Sequence, residues 1–215
     1  MKLYFGPGAC SFVPHTMLEA SGTVYEPAMV KLHKGEHLSP EYLAINPYGQ
    51  VPVLIANDLV ITQIVAICDY LASLFPENQF LPVEQVARAK ALSIFCWMNN
   101  TVHASFTHFL MPQKFTSDVS AQVAIKASAT QLYAAHMLEL QNMVARVPDG
   151  QWLSGVNFGP LDAYALTLLR WGTMTGIDPT SLPTLWTHVN KVAQLPAVAC
   201  VIERERLQLS LFKPA

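Results

Sequence analysis

The pattern of apolar residues changes at a short proline-containing segment, Pro76 to Pro82, and this change constrains the fold strongly. Before the segment, short apolar runs alternate with helical patterns in the order β-α-β-α-β-β-α, which is complete by Phe75. After it, every apolar pattern has the helical period, over about 83–112, 118–147, 160–175, 182–194 and 196–208. The sequence therefore predicts an α/β domain over 1–77 and an all-α domain over 83–215.

Several local signals fix the strands of the first part. Lys2–Phe5 and Val24–Leu32 predict two strands, and Asn57-Asp58 separates two apolar runs in the manner of a β-hairpin turn. Pro52 begins the next strand, where its missing N–H is tolerated. A cis bond before this proline would leave the backbone groups of Val51 free to pair with an extended ligand.

The composition excludes several classes of protein. Apolar residues make up 52% and charged residues 13%, which is the opposite of a disordered chain. The net charge of −2 leaves no basic surplus for phosphates, so no nucleic-acid partner is expected. No stretch has the roughly 20 apolar residues of a membrane span, and Gly6-Pro7-Gly8 interrupts any signal peptide. The low proportion of charged residues predicts that part of the apolar surface is buried in a subunit interface.

One of the four cysteines stands in a setting that favours reactivity. Pro14 must lie among the first four residues of a helix, so the helix begins near Cys10 or Ser11. A thiol at a helix N-terminus has a lowered pKa, so the sequence predicts a thiolate for Cys10 at neutral pH. The others lie in apolar helical patterns, where a cysteine is usually a small buried apolar residue: Cys68, Cys96 and Cys200. The spacing of the four suits neither zinc nor disulfides, and indicates reduced thiols in a cytoplasm.

Three segments, MKLYFGPGACSFVPH, LAINPYGQVPVL and ITQIVAICDYL, resemble the thioredoxin-fold domain of bacterial beta-class glutathione transferases. Arg88, His103 and the run from Trp152 to Ala163 resemble the helical domain of the same family, so the resemblance covers essentially the whole chain. It implies the glutathione transferase fold, with a thioredoxin-like N-terminal domain and an all-α C-terminal domain. It also implies a cytoplasmic, homodimeric detoxification enzyme that conjugates glutathione, its co-substrate, to small hydrophobic electrophiles without a metal.

The resemblance assigns seven residues to the glutathione site: Cys10, Val51, Pro52, Gln63, Ile64, Asn100 and His103. Cys10 matches the cysteine that contacts the glutathione sulfur, and Cys10 and His103 form the expected catalytic pair. Val51 matches the residue whose backbone pairs with the cysteinyl unit. Gln63 and Ile64 match the pair that holds the γ-glutamyl group at a helix N-terminus.

Three positions depart from the family pattern. Gln63 stands in place of Glu, so it can accept from the α-ammonium group but adds no charge attraction. Ile64 stands in place of Ser, Thr or Gly; its side chain either faces glutathione, where serine would tighten binding, or lies in the core. Gly159 stands where a Ser or Thr helix cap is usual, an exchange expected to cost only a few tenths of a kcal/mol.

The chemistry leaves alternatives open at this stage. Cys10 would either stabilise a glutathione thiolate or form a mixed disulfide with glutathione, as in a thiol reductase. A non-catalytic binding or regulatory protein is the competing interpretation, because Gln63 and Ile64 weaken the glutathione site. His136 is expected to be structural. One of His33, Lys34 and His37 is expected to bind the glycine carboxylate of glutathione. The pocket for the electrophile is expected to be lined by Phe12, Phe106 and Phe109.

Overall fold

The N-terminal part of the computed structural model, which describes residues 1–213, is a four-stranded sheet with helices. Its elements are β1 (Lys2–Phe5), α1 (Phe12–Ser21), β2 (Glu26–Met29), α2 (Pro40–Leu43), β3 (Val53–Ala56), β4 (Leu59–Thr62) and α3 (Ile64–Leu74). The strand order is β2-β1-β3-β4, with β1 parallel to β2 and the other neighbours antiparallel. This is the expected thioredoxin-like arrangement.

The burial of the strands and the turn that joins two of them agree with the apolar pattern of the sequence. Leu54 of the central strand β3 is fully buried, whereas β4 at the sheet edge is largely open to solvent. The expected hairpin joins β3 to β4, and Asn57 adopts the positive φ of 54° that its turn requires. The second strand is shorter than the predicted Val24–Leu32. It ends at Met29 because the chain then turns into two short 3-10 segments, Leu32–Lys34 and Glu36–Leu38.

The second part of the chain is helical, as expected. Its long elements are α4 (Gln85–Trp97), α5 (Ala104–Leu110), α6 (Val119–Val144), α7 (Pro160–Met174), α8 (Pro183–Ala193) and α9 (Pro196–Glu205). The single helix expected over about 83–112 is instead α4 and α5 joined by a π-helical turn, Met98–His103. Across residues 1–213, no helix combines the length and apolarity needed to cross a membrane.

Helix α7 lies in the middle of the helical part, and its start shows why residue 159 is glycine. The buried Asp162 carboxylate accepts from the amides of Leu153 and Gly159, at 2.8 and 3.1 Å. Ser154 supplies the cap by accepting from the amide of Leu161 at 3.0 Å. A Cβ atom on Gly159 would lie 2.0 Å from the carbonyl oxygen of Phe80. The expectation that serine and glycine are nearly equivalent here is therefore wrong, because the neighbouring backbone leaves no room.

Contacts between the two parts are extensive. Arg88 of α4 forms an ion pair with Asp69 of α3 at 2.6 Å. Between these helices, Phe80 and Leu81 are buried in a core that includes residues of both parts. The sheet-containing part ends with α3 at Leu74. The exact boundary between 77 and 83 stays a prediction, because this segment packs into the shared core.

Candidate active site

A cavity of about 700 Å³ lies between the sheet-containing part and helices of the second part. Six of the seven residues expected in the glutathione site line it: Cys10, Val51, Pro52, Gln63, Ile64 and His103. The loop after β1, the segment before β3 and the start of α3 form one wall. Residues around α5 and α7, together with Leu211, form the other.

The loop that carries Cys10 is held by hydrogen bonds from both parts of the chain. The buried Ser11 hydroxyl donates to the Gly6 carbonyl at 3.1 Å and accepts from the Gly6 amide at 3.0 Å. The Gly8 amide donates to Glu205 at 2.8 Å, and the Gly8 carbonyl accepts from the Trp171 indole at 2.9 Å. Gly8 has a φ of 72°, which favours glycine. These bonds fix the peptide two residues before the thiol.

The Cys10 thiol is buried and protonated. Helix α1 begins at Phe12, and only 7% of Cys10 is exposed. Burial raises the pKa of Cys10 to about 12, although backbone hydrogen bonds at Cys10 and Ser11 lower it in part. The Sγ atom is 3.7 Å from the Val51 carbonyl oxygen, which accepts its S–H. The expected thiolate is therefore wrong for this structure, because desolvation outweighs the helix N-terminus.

The segment before β3 presents the backbone of Val51 to the cavity. The peptide bond between Val51 and Pro52 is cis, as the resemblance implies. The Tyr42 hydroxyl and the Asn46 side-chain amide each donate to the Gln50 carbonyl at 2.8 Å, and so hold the chain just before Val51.

The start of α3 offers backbone groups rather than side-chain groups. Gln63 precedes the helix with a φ of 69°, a region uncommon for residues other than glycine, and its side chain makes no capping hydrogen bond. The Ile64 side chain is only 3% exposed and belongs to the apolar core. Of the two possibilities for Ile64, the structure supports a side chain in the core.

His103 lies in the cavity wall contributed by the π-helical turn. Its Nδ1 is 2.8 Å from the Tyr164 hydroxyl, which leaves Nε2 available to a ligand. Burial lowers the pKa of His103 to about 4, so the ring is neutral at neutral pH.

The neighbouring asparagines differ from the expectation. Asn100 is exposed and does not line the cavity. Asn99 does line it, and its side-chain oxygen is 3.4 Å from the Tyr164 hydroxyl. The structure therefore places Asn99, and not Asn100, in the cavity wall, and a role for Asn100 stays a prediction of the resemblance.

The structure also separates the remaining candidates. Of the three residues considered for the glycine carboxylate, His37 lines the cavity, and its buried Nδ1 has no hydrogen-bond partner among the described residues. Phe106 lines the cavity, whereas Phe12 lies in the core and Phe109 is outside the cavity wall. His136 is buried beside the Ser105 hydroxyl at 3.2 Å, away from the cavity.

Sequence reasoning missed two cationic residues and one aromatic residue in the cavity wall: Lys114, Arg170 and Trp171. No motif marks them, because they come from distant helices that the fold brings together. Within residues 1–213, no group of three or more His, Cys, Asp or Glu side chains is arranged to hold a metal ion.

Comparison with known proteins gives a consistent result. A family model described as "Glutathione S-transferase, N-terminal domain" matches residues 1–73. Glutathione S-transferase GstA of Escherichia coli O157:H7 is 31% identical over 214 residues, which cover 97% of this chain and 100% of that protein.

Two solved structures match over nearly the full length. A glutathione transferase homologue from Sulfitobacter, with bound glutathione, has a TM-score of 0.88 at 26% identity and covers 96% of this chain and 98% of its own. A sphingomonad glutathione S-transferase complexed with glutathione has a TM-score of 0.83 at 29% identity, over 97% of this chain and 100% of its own.

Proposed function

The chain belongs to the glutathione S-transferase family, and on that premise we propose that it conjugates glutathione to electrophiles in the cavity around Cys10. One observation carries the proposal: a protonated thiol and a neutral imidazole line the same cavity as the backbone of Val51. A neutral S–H can donate a hydrogen bond to a glutathione thiolate, and a neutral imidazole can accept a hydrogen bond from the glutathione thiol before its proton leaves.

We place glutathione along the wall formed by the sheet-containing part. Its cysteinyl unit would pair with the backbone of Val51, as an extended peptide pairs with a strand edge. Its γ-glutamyl carboxylate would lie at the N-terminus of α3, where the first amides lack intrahelical partners. Its glycine carboxylate would accept from His37, whose Nδ1 is buried without a partner among the described residues.

The reaction needs no further redox reagent. Nε2 of the neutral His103 would accept a hydrogen bond from the glutathione thiol, and the thiol proton is released to solvent. The sulfur forms a bond to the electrophilic carbon. In a substitution, the leaving group departs with the electron pair of its bond to that carbon. Cys10 remains a thiol throughout. Its S–H would turn from the Val51 carbonyl oxygen to the negative glutathione sulfur, and this hydrogen bond to a charged group is worth about 1.5–3 kcal/mol.

The experiment below also distinguishes conjugation from two other functions. A thiol reductase would need Cys10 as a nucleophilic thiolate, which the raised pKa of Cys10 disfavours. A non-catalytic binding or regulatory protein would bind ligands without turnover, in keeping with the uncharged Gln63. The protonated state of Cys10 favours conjugation over the reductase.

The experiment combines calorimetric titration of glutathione with conjugation of 1-chloro-2,4-dinitrobenzene. Cys10→Ser retains a donor, so we expect it to keep most of the native kcat/KM, whereas Cys10→Ala should lose about tenfold. Cys96→Ala, at an exposed cysteine outside the cavity, is the matched control. Loss of activity in Cys10→Ser together with a disulfide-linked glutathione adduct on native Cys10 would instead establish the reductase. Binding without turnover would establish the non-catalytic alternative.

We further propose a homodimer that acts in the cytoplasm on hydrophobic, potentially toxic electrophiles. The edge strand β4 exposes half of Leu59 (51%) and nearly half of Val60 (46%), and Val83 and Val86 near the start of α4 are exposed at 78% and 60%. Such apolar side chains are common in subunit interfaces. We expect sedimentation velocity at micromolar concentration to give twice the chain mass of 23.7 kDa. A single species at the chain mass would contradict the dimer.

A further inference from the structure

The cavity wall contributed by the helical part carries positive charge, and no acidic side chain of the described residues lines the cavity. Lys114 and Arg170 line the cavity, and no Asp or Glu is among the residues that line it. Glutathione, as placed above, lies along the opposite wall. The two cations therefore face the space left for the second substrate.

Among residues 1–213, no acidic side chain forms an ion pair with Arg170. Its Nε donates to the Gln208 carbonyl at 2.8 Å, and no carboxylate within the described part of the chain lies within 4.0 Å of its guanidinium. The nearby Glu205 already accepts from the Gly8 amide at 2.8 Å and pairs with His15 at 2.7 Å. Desolvation lowers the pKa of Arg170 despite the charge of Glu205. A partly desolvated cation without a partner gains more from an anion than a fully hydrated cation does.

The position of the guanidinium places its charge beside the reacting groups. A Cβ atom built on Gly8 would lie 2.8 Å from Nη1 of Arg170, so the guanidinium lies against the loop that leads to Cys10. Lys114, which is exposed, contributes a second charge to the same wall. An anionic substituent bound at Arg170 would thus hold the rest of a substrate near the sulfur atoms.

The cavity wall that carries these cations is also apolar: Leu110 and Met174 are 48% and 40% exposed, and the nearly buried rings of Phe106 and Trp171 line it as well. The rings of Phe106 and Trp171 are stacked, with centroids 4.7 Å apart and an interplanar angle of 12°. Met174 and Leu110 extend this surface. Aromatic and thioether side chains of this kind pack well against an aromatic ring.

We propose that the preferred second substrate is an electrophile with an aromatic or flat apolar body and an anionic substituent such as a carboxylate, which Arg170 binds and Lys114 attracts. This inference rests on the proposed conjugation activity and narrows its substrate class.

A matched pair of electrophiles tests the inference: 4-chloro-3,5-dinitrobenzoate and its methyl ester. In both, the glutathione sulfur bonds to the carbon that bears chlorine, chloride leaves with the bonding pair, and the thiol proton is released. Each kcat/KM is divided by the uncatalysed rate constant for the same compound, which removes the difference in intrinsic reactivity. We expect the native enzyme to prefer the acid by about tenfold or more, as a charge-assisted hydrogen bond provides.

Three variants of the cavity cations and one control variant outside the cavity separate the effect of the charge from that of its position. Arg170→Gln should lower the acid-to-ester ratio by about tenfold, and Arg170→Lys should retain most of it. Lys114→Gln should lower the ratio less, by about twofold, because an exposed charge is screened. Arg146→Gln removes the same charge from an exposed residue outside this cavity and should leave the ratio unchanged.

Several outcomes would overturn the inference. Equal acid-to-ester ratios for the native enzyme and Arg170→Gln would do so, because the charge at Arg170 would then be irrelevant to the preference. Weaker glutathione binding in Arg170→Gln with an unchanged ratio would show that Arg170 binds glutathione. If native enzyme binds glutathione but turns over neither compound, nor 1-chloro-2,4-dinitrobenzene, the proposed function fails. Turnover without preference overturns the substrate class alone.

Discussion

At the scale of single residues, the Cys10 thiol shows that burial can outweigh a favourable dipole. Its pKa of about 12 leaves on the order of 10⁻⁵ of it ionised at pH 7. We therefore expect iodoacetamide to alkylate the exposed Cys96 first at pH 7.5. The rate at Cys10 should rise about tenfold per pH unit up to the limit of the fold's stability, because only the thiolate reacts.

Peptide mapping by mass spectrometry after timed quenching measures both rates, and Cys10→Ala identifies the Cys10 peptide. A Cys10 rate that is already fast at pH 7 and flat with increasing pH would show a thiolate, and would contradict the protonated state assigned above.

Ile64 is a second residue whose burial decides its role. Since the side chain lies in the core at 3% exposure, Ile64→Ser removes packed methyl groups and buries a hydroxyl. We expect a loss of about 2–5 kcal/mol in the free energy of unfolding, measured by urea titration, and no tightening of glutathione binding. Ile64→Val, which keeps the branched side chain, should cost about 0.5–1.5 kcal/mol. Tighter binding in Ile64→Ser with unchanged stability would show that the side chain faces the ligand.

At the scale of elements, the π-helical turn marks a limit of sequence reasoning. The helical period of the chain predicts a single helix over about 83–112, which the structure divides into α4 and α5. A π turn has an extra residue in its hydrogen-bonded ring, so side chains beyond its start are rotated from their α-helical positions. In this structure Asn99 lines the cavity and Asn100 does not, a difference of one residue that the family resemblance does not resolve. No local signal in Met98–His103 reveals this turn.

The start of α7 provides a test at the same scale. Gly159→Ser would restore a favourable N-cap residue type, worth a few tenths of a kcal/mol over glycine. Its Cβ would, however, meet the Phe80 carbonyl at 2.0 Å, and Ser154 already supplies the cap. We expect a net loss of at least about 1–3 kcal/mol in the free energy of unfolding, because buried backbone must move.

Thermal and urea unfolding of Gly159→Ser and Gly159→Ala measure this effect. Both should be destabilised, since both add the Cβ atom. Gly150→Ala is not a suitable control, because its φ of 78° adds strain of its own. Ser93→Ala, at an exposed position of α4, is a better one. A more stable Gly159→Ser would mean that the cap outweighs the close approach.

At the scale of the whole molecule, the sequence predicts the fold better than it predicts the site. The switch from strand patterns to helical patterns is local, so the two-part architecture can be read from Phe75 and its surroundings. The protonation state of Cys10 depends on burial by distant segments, and the charge at Arg170 enters the cavity only after folding. Such properties arise from tertiary contacts, which neither spacing nor composition encodes.

Glu205 provides the final test, because it joins the last helix to the first loop. Its side chain and that of His15 are both fully buried, and Glu205 Oε1 is 2.7 Å from His15 Nδ1. Its other oxygen accepts from the Gly8 amide. In Glu205→Gln, one of the two acceptors becomes an NH₂ group facing a donor, so a buried hydrogen bond is lost and two donors oppose each other.

We expect Glu205→Gln to lower the free energy of unfolding by about 3 kcal/mol or more, measured by urea titration at pH 7 with tryptophan fluorescence. Conjugation kcat/KM should also fall, because the Gly8 peptide positions the Cys10 loop. Glu203→Gln makes the same charge change at an exposed position of α9 and should alter neither quantity measurably. If both variants lower the free energy of unfolding by the same small amount, the contacts of Glu205 between α9 and the active-site loop do not stabilise the fold. If stability falls while kcat/KM is unchanged, Glu205 stabilises the fold without positioning Cys10, because the bond from Trp171 to the Gly8 carbonyl then suffices to hold the loop.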